Sequence, residues 1–334
     1  MRAVVLVGGV GSRLRPLTLS VLKPMLPVGH RPIIERLIGN VVRGGVTDVT
    51  LALGFKPQPF IDAFPDGVCA GARLHYAVEP EPLDTAGAVR FAADSSGIDG
   101  TFVVANGDVL TDLDIAALVA FHRDRDALAT LHLTAVEDPS SFGVVGIDPD
   151  GRVDRFVEKP APGTAPSNLI NAGTYVLERS VLERIGTDAP VSIERVTFPS
   201  IVAERRLYAM PTKDYWIDTG RPDHYLAANL DMLIGLRAHD HCEGIEPGAA
   251  VSPSADVREA LISAGALVDA GATVVRSVVL PGAEICDGAS VTGSSVMGRV
   301  GRGASATGCV IGAGAVVEEG ETLVAARRPD PDST

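Results

Sequence analysis

The sequence predicts an α/β chain in two parts: a Rossmann-like mixed sheet over residues 1–240, then a short left-handed parallel β-helix over 245–320. Three observations predict it. A buried-strand run, Met1-Arg-Ala-Val-Val-Leu-Val, opens directly into a glycine-rich loop. Strand and helix patterns then alternate to about residue 240. From about residue 245 helical periodicity stops, and small residues recur with a six-residue step.

Residues 4–7 are the first strand. Residues 32–42 carry Ile33, Ile34, Leu37, Ile38, Val41 and Val42 on one helical face, so this segment is a helix. Strands are expected at 49–53 and 74–78, a helix at 85–93, and a short buried strand at 102–105 that ends in Asn106-Gly107-Asp108. A helix at 113–123, a strand at 128–136 and two short strands at 143–147 and 153–158 follow. Such alternation puts helices on both faces of a sheet and ligands beyond the carboxyl ends of its strands. The Gly8 loop and Asp108 both fall at such ends. In the second part, Gly265-Ala266 repeats at Gly271-Ala272 and Gly282-Ala283 at Gly288-Ala289, while Val279, Ile285 and Val291 keep the same step. That register is a hexapeptide β-helix of about three hexapeptides per coil and about four coils. Residues 321–334, rich in Pro and Asp near their end, are expected to fray.

A chain of 334 residues, 46% hydrophobic, has apolar material for one large domain and a smaller one. Its net charge of −13 argues against nucleic acid or an anionic membrane as partner, so its few cations are read individually. Cys69, Cys242, Cys286 and Cys309 show neither a C-x-x-C pair nor zinc spacing, which fits free thiols in a reducing cytoplasm. Glycine and arginine interrupt the first apolar run, which is unlike a signal-peptide core, and no apolar run approaches a membrane span.

The loop after the first strand reads Gly8-Gly9-Val10-Gly11-Ser12-Arg13-Leu14-Arg15-Pro16-Leu17-Thr18, with Lys23-Pro24 close behind. Glycines let backbone N–H groups converge on phosphate oxygens, and Arg13 and Lys23 add the charge that a backbone loop lacks. The third glycine of a dinucleotide fingerprint is missing, as is the G-K-[ST] of a Walker loop. Phosphoryl-type transfer needs charge neutralisation and in-line positioning more than covalent help. Asp108 and Asp218, from distant segments, are a sensible Mg²⁺ pair, because Mg²⁺ takes one or two carboxylates plus phosphate oxygens and water. Alone, Asp108 also reads as a turn residue and Asp218 as a residue near a helix N-cap.

The run G-G-x-G-S-R-L-x-P-L-T followed by K-P resembles the signature of the sugar-1-phosphate nucleotidyltransferases, and the resemblance covers essentially the whole chain. It implies transfer of a nucleotidyl group from a nucleoside triphosphate to a sugar-1-phosphate with release of pyrophosphate. The sugar-phosphate is already anionic near neutral pH, so no general base is needed. By the same resemblance, Leu6, Gly8, Gly9, Gly11, Ser12, Arg13 and Lys23 contact the nucleotide, and Asp108 and Asp218 are the metal-binding aspartates. Phe156-Val157-Glu158-Lys159-Pro160 resembles the E-K-P motif, in which Lys159 pairs with the sugar's phosphate and Glu158 accepts from sugar hydroxyls. Asn171-Ala172-Gly173-Thr174-Tyr175 resembles the sugar-binding segment, and Gly143 the glycine against which a sugar lies.

Val78 to Gly87 resembles the family's base-recognition segment in its guanylyltransferase form, which implies Glu79, Asp84, Thr85 and Gly87 at the nucleotide. A carboxylate at Glu79 or Glu81 suits the two adjacent donors of guanine. Asp84 departs from the family, which has glycine there. The leading expectation is therefore GTP and mannose-1-phosphate. Heptose-, glucose- or cyclitol-1-phosphate, or another nucleotide, stay open with the same chemistry. A catalytically silent paralogue is opposed by the intact Arg13, Lys23, Asp108, Lys159 and Asp218. An acyltransferase β-helix lacks the histidine that it needs as base, since all seven histidines precede residue 242. Exposed sheet edges and flat faces between coils predict a homo-oligomer through the β-helix.

Overall fold

The computed structural model describes residues 1–9, 11–54, 57–187 and 189–331. They form two compact units: Met1–Gly9 with Ile34–Trp216, and Val10–Ile33 with Ile217–Thr334. By contact, the part of the glycine-rich loop after Gly9 and the last helix group with the β-helix. Contacts far apart in sequence tie them there. The Tyr225 hydroxyl donates to Pro27 O at 2.6 Å, Gly29 N–H donates to Asn229 Oδ1 at 3.0 Å, and His30 Nδ1 lies 3.3 Å from Glu246 Oε2.

The first unit is built on a ten-stranded mixed sheet. Its principal elements are β1 (Arg2–Leu6), α1 (Ile33–Arg43), β2 (Asp48–Leu53), β3 (Ala72–Val78), α2 (Asp84–Ser95), β4 (Phe102–Asn106), α3 (Ile115–Asp124), β5 (Ala129–Ala135), β6 (Gly143–Ile147), β7 (Val153–Glu158), β8 (Leu169–Leu177) and β9 (Leu207–Pro211). The order runs β7-β6-β8-β4-β1-β2-β3, ending in Val68–Cys69, while β5 also pairs with β8 and β9 pairs with β5. β1 is parallel to β2 and β4, whereas β8 runs antiparallel to β4, β5 and β6. The parallel strands are continuous apolar runs because helices cover both faces: Val4, Val5, Val49, Leu51, Val103 and Val104 are fully buried. α1 buries Ile34, Leu37, Ile38 and Val41, the stripe read from its periodicity. α3 begins at Ile115, two residues later than expected, because the Asp114 carboxylate caps it by accepting from Ala117 N–H at 2.9 Å.

In the second unit the last helix, α4 (Pro222–Leu233), precedes three parallel five-stranded sheets. These are the faces of a left-handed β-helix. Strands recur every 17 residues, Leu261 to Val278 to Ser295, except for one 15-residue step from Ser295 to Val310. Val279, Ile285 and Val291 point inward and are buried, as the six-residue step predicts, and so is the alanine of each Gly-Ala pair. The glycines of those pairs, at φ +67 to +79°, turn the corners. A polar ladder climbs one corner: Ser277 Oγ accepts Ser294 N–H at 3.1 Å, and Ser294 Oγ accepts Cys309 N–H at 2.9 Å.

There are five coils rather than about four. The fifth, with strands Thr322–Val324 and Arg327–Arg328, extends into the segment expected to fray. It is held by ladder pairing to Ser305–Thr307 and Val310–Ile311. Arg328 also grips Glu321 with two bonds of 2.7 Å, which pulls the Glu321 carboxyl down to about 2. All four cysteines are buried and unbridged, and no described helix is long and apolar enough to cross a membrane.

Candidate active site

In the first unit, β1 and β4 end side by side, with Leu6 in register with Asn106. Gly107 N–H donates to Leu6 O at 2.8 Å, and Asp108 follows, half-buried. Gly8 and Gly9 leave the end of β1 exposed. Adjacent parallel strand ends are where such sheets collect ligands.

The segment before α2 is shaped by its own polar groups. Glu79 is buried, and its Oε2 accepts Leu83 N–H at 3.0 Å, which fixes the turn. Asp84 opens α2 at φ +58°, the left-handed region that glycine favours and that Asp tolerates better than most residues. Its Oδ1 accepts Thr85 N–H at 2.6 Å, and the residue is exposed. The departure read from sequence thus keeps the backbone shape a glycine would give. The Thr85 hydroxyl is spent inside the protein: it donates to Glu194 Oε2 at 2.8 Å and accepts Ile193 N–H at 2.9 Å. A ligand at Thr85 would meet backbone instead. Gly87 is buried within α2, its N–H directed to Val191 O at 3.3 Å.

A second group sits on β6, β7 and β8. Gly143 faces Glu158 across the β6–β7 pair. A Cβ at Gly143 would lie 2.7 Å from Phe156 Cζ and 2.9 Å from Glu158 Oε2, so glycine is what leaves room for that carboxylate. Burial, then the charge of Glu194, raises the Glu158 carboxyl above its ordinary value, and Lys159 pulls the other way with Nζ 3.6 Å from Oε1. Lys159 itself has φ +48° and a side chain 61% exposed. A non-glycine residue in that conformation is strained, a feature that clusters at functional sites. Asn171 Nδ2 donates to the Tyr175 hydroxyl at 2.9 Å and Oδ1 accepts Gly173 N–H at 3.2 Å. Its carboxamide has capacity for one further donor and one further acceptor bond.

Sequence reasoning missed Trp216 and Glu194 here. Trp216 Nε1–H donates to Ala172 O at 2.9 Å, and its ring meets Phe142 edge-on at 5.8 Å. A signal was present, because Trp216 is the chain's one tryptophan and stands two residues before Asp218. Glu194 had no motif to mark it.

In the second unit, Arg13, Lys23 and Asp218 converge. Lys23 Nζ lies 3.8 Å from Asp218 Oδ1, and Arg13 Nη2 lies 4.0 Å from Oδ2. Lys23 is buried, and a buried ammonium is costly without a counter-charge such as this. Arg13 is 63% exposed. All three side chains end around Gly220, where a Cβ would lie 2.8 Å from Arg13 Nη2, 2.8 Å from Asp218 Oδ1 and 2.9 Å from Lys23 Nζ. Gly220 N–H also donates to Asp218 Oδ1 at 2.8 Å. Upstream, Ser12 begins the single helical turn Ser12–Leu14, and Gly11 at φ +64° precedes it with its carbonyl accepting from Thr18 Oγ1 at 2.7 Å. Among the described residues, no three His, Cys, Asp or Glu side chains are grouped to hold a metal. The chemistry on offer is one or two carboxylates beside cations, which suits a hard cation that completes its shell with phosphate and water.

Comparison with known proteins gives the family. Residues 2–234 match the model of the family described as nucleotidyl transferase, and residues 249–332 match a GlmU-like C-terminal hexapeptide model. The chain is 39% identical over 305 residues to the mannose-1-phosphate guanylyltransferase of Mycobacterium tuberculosis, covering 89% of this chain and 83% of that one. It is 40% identical over 243 residues to the mannose-1-phosphate guanyltransferase of Schizosaccharomyces pombe, covering 72% and 66%. Among solved structures it resembles HddC from Yersinia pseudotuberculosis, with a TM-score of 0.59 at 30% identity over 68% of this chain and 97% of that one. With a phosphate-type loop, paired cations and a family match over most of its length, the chain belongs to the nucleotidyl transferase family and is a nucleotidyltransferase.

Proposed function

We propose that this enzyme joins GTP and mannose-1-phosphate to give GDP-mannose and pyrophosphate. The convergence of Arg13 and Lys23 on Asp218 around Gly220 carries the chemistry, and the names of the relatives support the substrates. A phosphate oxygen of the sugar-1-phosphate attacks the α-phosphorus, and the bond from that phosphorus to the bridging oxygen of the β-phosphate breaks. The loop from Gly8 to Arg13, with Lys23, holds the triphosphate, and Arg13 stabilises the departing pyrophosphate. Leu6, Gly9, Gly11 and Ser12 shape that loop, while Glu79 or Glu81 accepts from the guanine edge. Asp108 and Asp218 would hold a divalent cation, Mg²⁺ in this reading, which when bound offsets charge on the α-phosphate. Lys159 meets the sugar's phosphate, and Glu158 and Asn171 take its hydroxyls beside Gly143. We place the enzyme in the cytoplasm, as a homo-oligomer through residues 245–320. A monomeric mass in solution at micromolar concentration would count against the assembly.

The test is pyrophosphate release with Mg²⁺, crossing the four ribonucleoside triphosphates and dTTP with mannose-, glucose- and heptose-1-phosphate. A signal confined to GTP with mannose-1-phosphate is expected. A different productive pair would move the substrate, and silence in every combination would revive the non-catalytic paralogue.

Two variants probe the parts. Lys159→Ala is expected to raise the KM for sugar-phosphate roughly tenfold or more, as loss of a charge-assisted contact does. An effect on the KM for GTP alone would contradict its role. Asp84→Gly relieves left-handed strain of about 1–2 kcal/mol. It also loses a favourable helix N-terminal charge and adds chain entropy, together about 1–2 kcal/mol. Stability within about 1 kcal/mol of the parent and an unchanged nucleotide preference are therefore expected. A switch of preferred nucleotide would show instead that Asp84 reads the base.

A further inference from the structure

The last coil of the β-helix reaches the glycine-rich loop within the second unit. Arg327 Nη1 donates to Arg13 O at 3.2 Å and to Arg15 O at 3.3 Å. Gly312, which stacks beside Arg328 on the adjacent coil, stands so close to Pro16 that a Cβ there would lie 2.8 Å from Pro16 Cβ and 3.1 Å from Pro16 O. Arg327 is braced from behind. It pairs in register with Val310, while the neighbouring Arg328 is chelated by Glu321 and donates to Val316 O at 3.0 Å. Two stacked rungs of the β-helix thus hold residues 13–16, one through Arg327 and one through Gly312.

The loop has modest restraints of its own. Its short turn is closed by Leu14 N–H to Gly11 O at 3.0 Å and Arg15 N–H to Ser12 O at 3.1 Å. Arg13 is the exposed cation whose guanidinium lies 4.0 Å from Asp218. A guanidinium bridging the carbonyls of residues 13 and 15 adds charge-assisted bonds and fixes the backbone that carries Arg13. A loop fixed in its bound shape loses less freedom when ligand arrives.

We propose that Arg327 is a positioning residue for the nucleotide: with Gly312 it clamps loop 13–16, so the terminal β-helix coil is a working wall of the triphosphate site. This rests on the reading that Arg13 binds the triphosphate.

The experiment uses the full chain and three variants, Arg327→Ala, Arg327→Lys and Gly312→Ala. Each has KM measured for both substrates, GTP binding measured by calorimetry without sugar-phosphate, and Tm. Arg327→Ala is expected to raise the KM and Kd for GTP about 3- to 10-fold, with the KM for sugar-phosphate unchanged. Arg327→Lys should recover part of the loss, because an ammonium can serve one carbonyl. Gly312→Ala should show the same GTP-selective change by displacing Pro16. A lower Tm with both KM values unchanged, or with both raised in proportion, would overturn the proposal. If the parent turns over a different substrate pair, the substrate assignment falls but the comparison runs unchanged with that nucleotide. If it turns over none, calorimetry with GTP still decides whether Arg327 serves the loop.

Discussion

Asp108→Asn is expected to lower kcat by a factor on the order of 10²–10³ or more while the fold stays intact. Asn has nearly the same shape, and Asp108 is half-buried at the end of β4 rather than packed in the core, so circular dichroism and Tm should match the parent. What changes is charge. The reaction passes through a crowded polyanion, and positioning with charge neutralisation supplies most of the rate in such transfers. A neutral amide is a poor ligand for a hard divalent cation, so the Mg²⁺ dependence of the residual rate should shift to higher concentration. Near-parental turnover with unchanged Mg²⁺ dependence would remove Asp108 from the metal site.

The largest effect on stability is expected at Gly298. The β-helix shortens one coil from 17 residues to 15, and the missing residues come from the corner between Val296 and Arg299. Gly298 fills that corner against the next coil. A Cβ there would run into the carbonyl oxygen of Ala315 and come within 2.6 Å of that of Gly312. Both are backbone atoms already held, Ala315 O by Arg299 N–H and Gly312 O by Ala315 N–H, so neither can swing aside as a side-chain end would. Gly298→Ala should therefore cost about 3 kcal/mol, the upper part of the usual overpacking range, and lower Tm by several degrees. Thermal unfolding followed by circular dichroism checks this. A Tm within a degree of the parent would mean that the short coil can open, contrary to the packing described. Gly312, whose carbonyl oxygen that Cβ would press, is also the glycine against Pro16, so the same variant is a sensitive probe of the loop.

The elements that periodicity specifies were legible within a residue or two. α1, β6, β7 and the inward Val279, Ile285 and Val291 lie where the pattern placed them. Errors arose where a local signal meets a competing contact. Asp114 delays α3 by capping it. The bulge in β8, between Asn171 and Tyr175, joins three partner strands in a segment that reads only as a motif. Residues 321–334 read as a fraying tail because Pro and Asp gather near their end, yet coil stacking and the Arg328–Glu321 pair order 321–328.

By itself the sequence determined the strand-to-loop opening, the cations that follow it, the carboxylates at strand ends, the β-helix register and the family, because each is written in neighbouring residues. Only the tertiary structure decided that the Thr85 hydroxyl serves Glu194, that Asp84 adopts the backbone of a glycine, and that Gly143 makes space for Glu158. It alone brought Arg327 to the carbonyl of Arg13, 314 residues away in the chain. The physical reason is one of range. Periodicity reports what a residue does with its neighbours, whereas a hydroxyl's partner or a clamp on a loop depends on where remote backbone ends up once the sheet and the coils have packed.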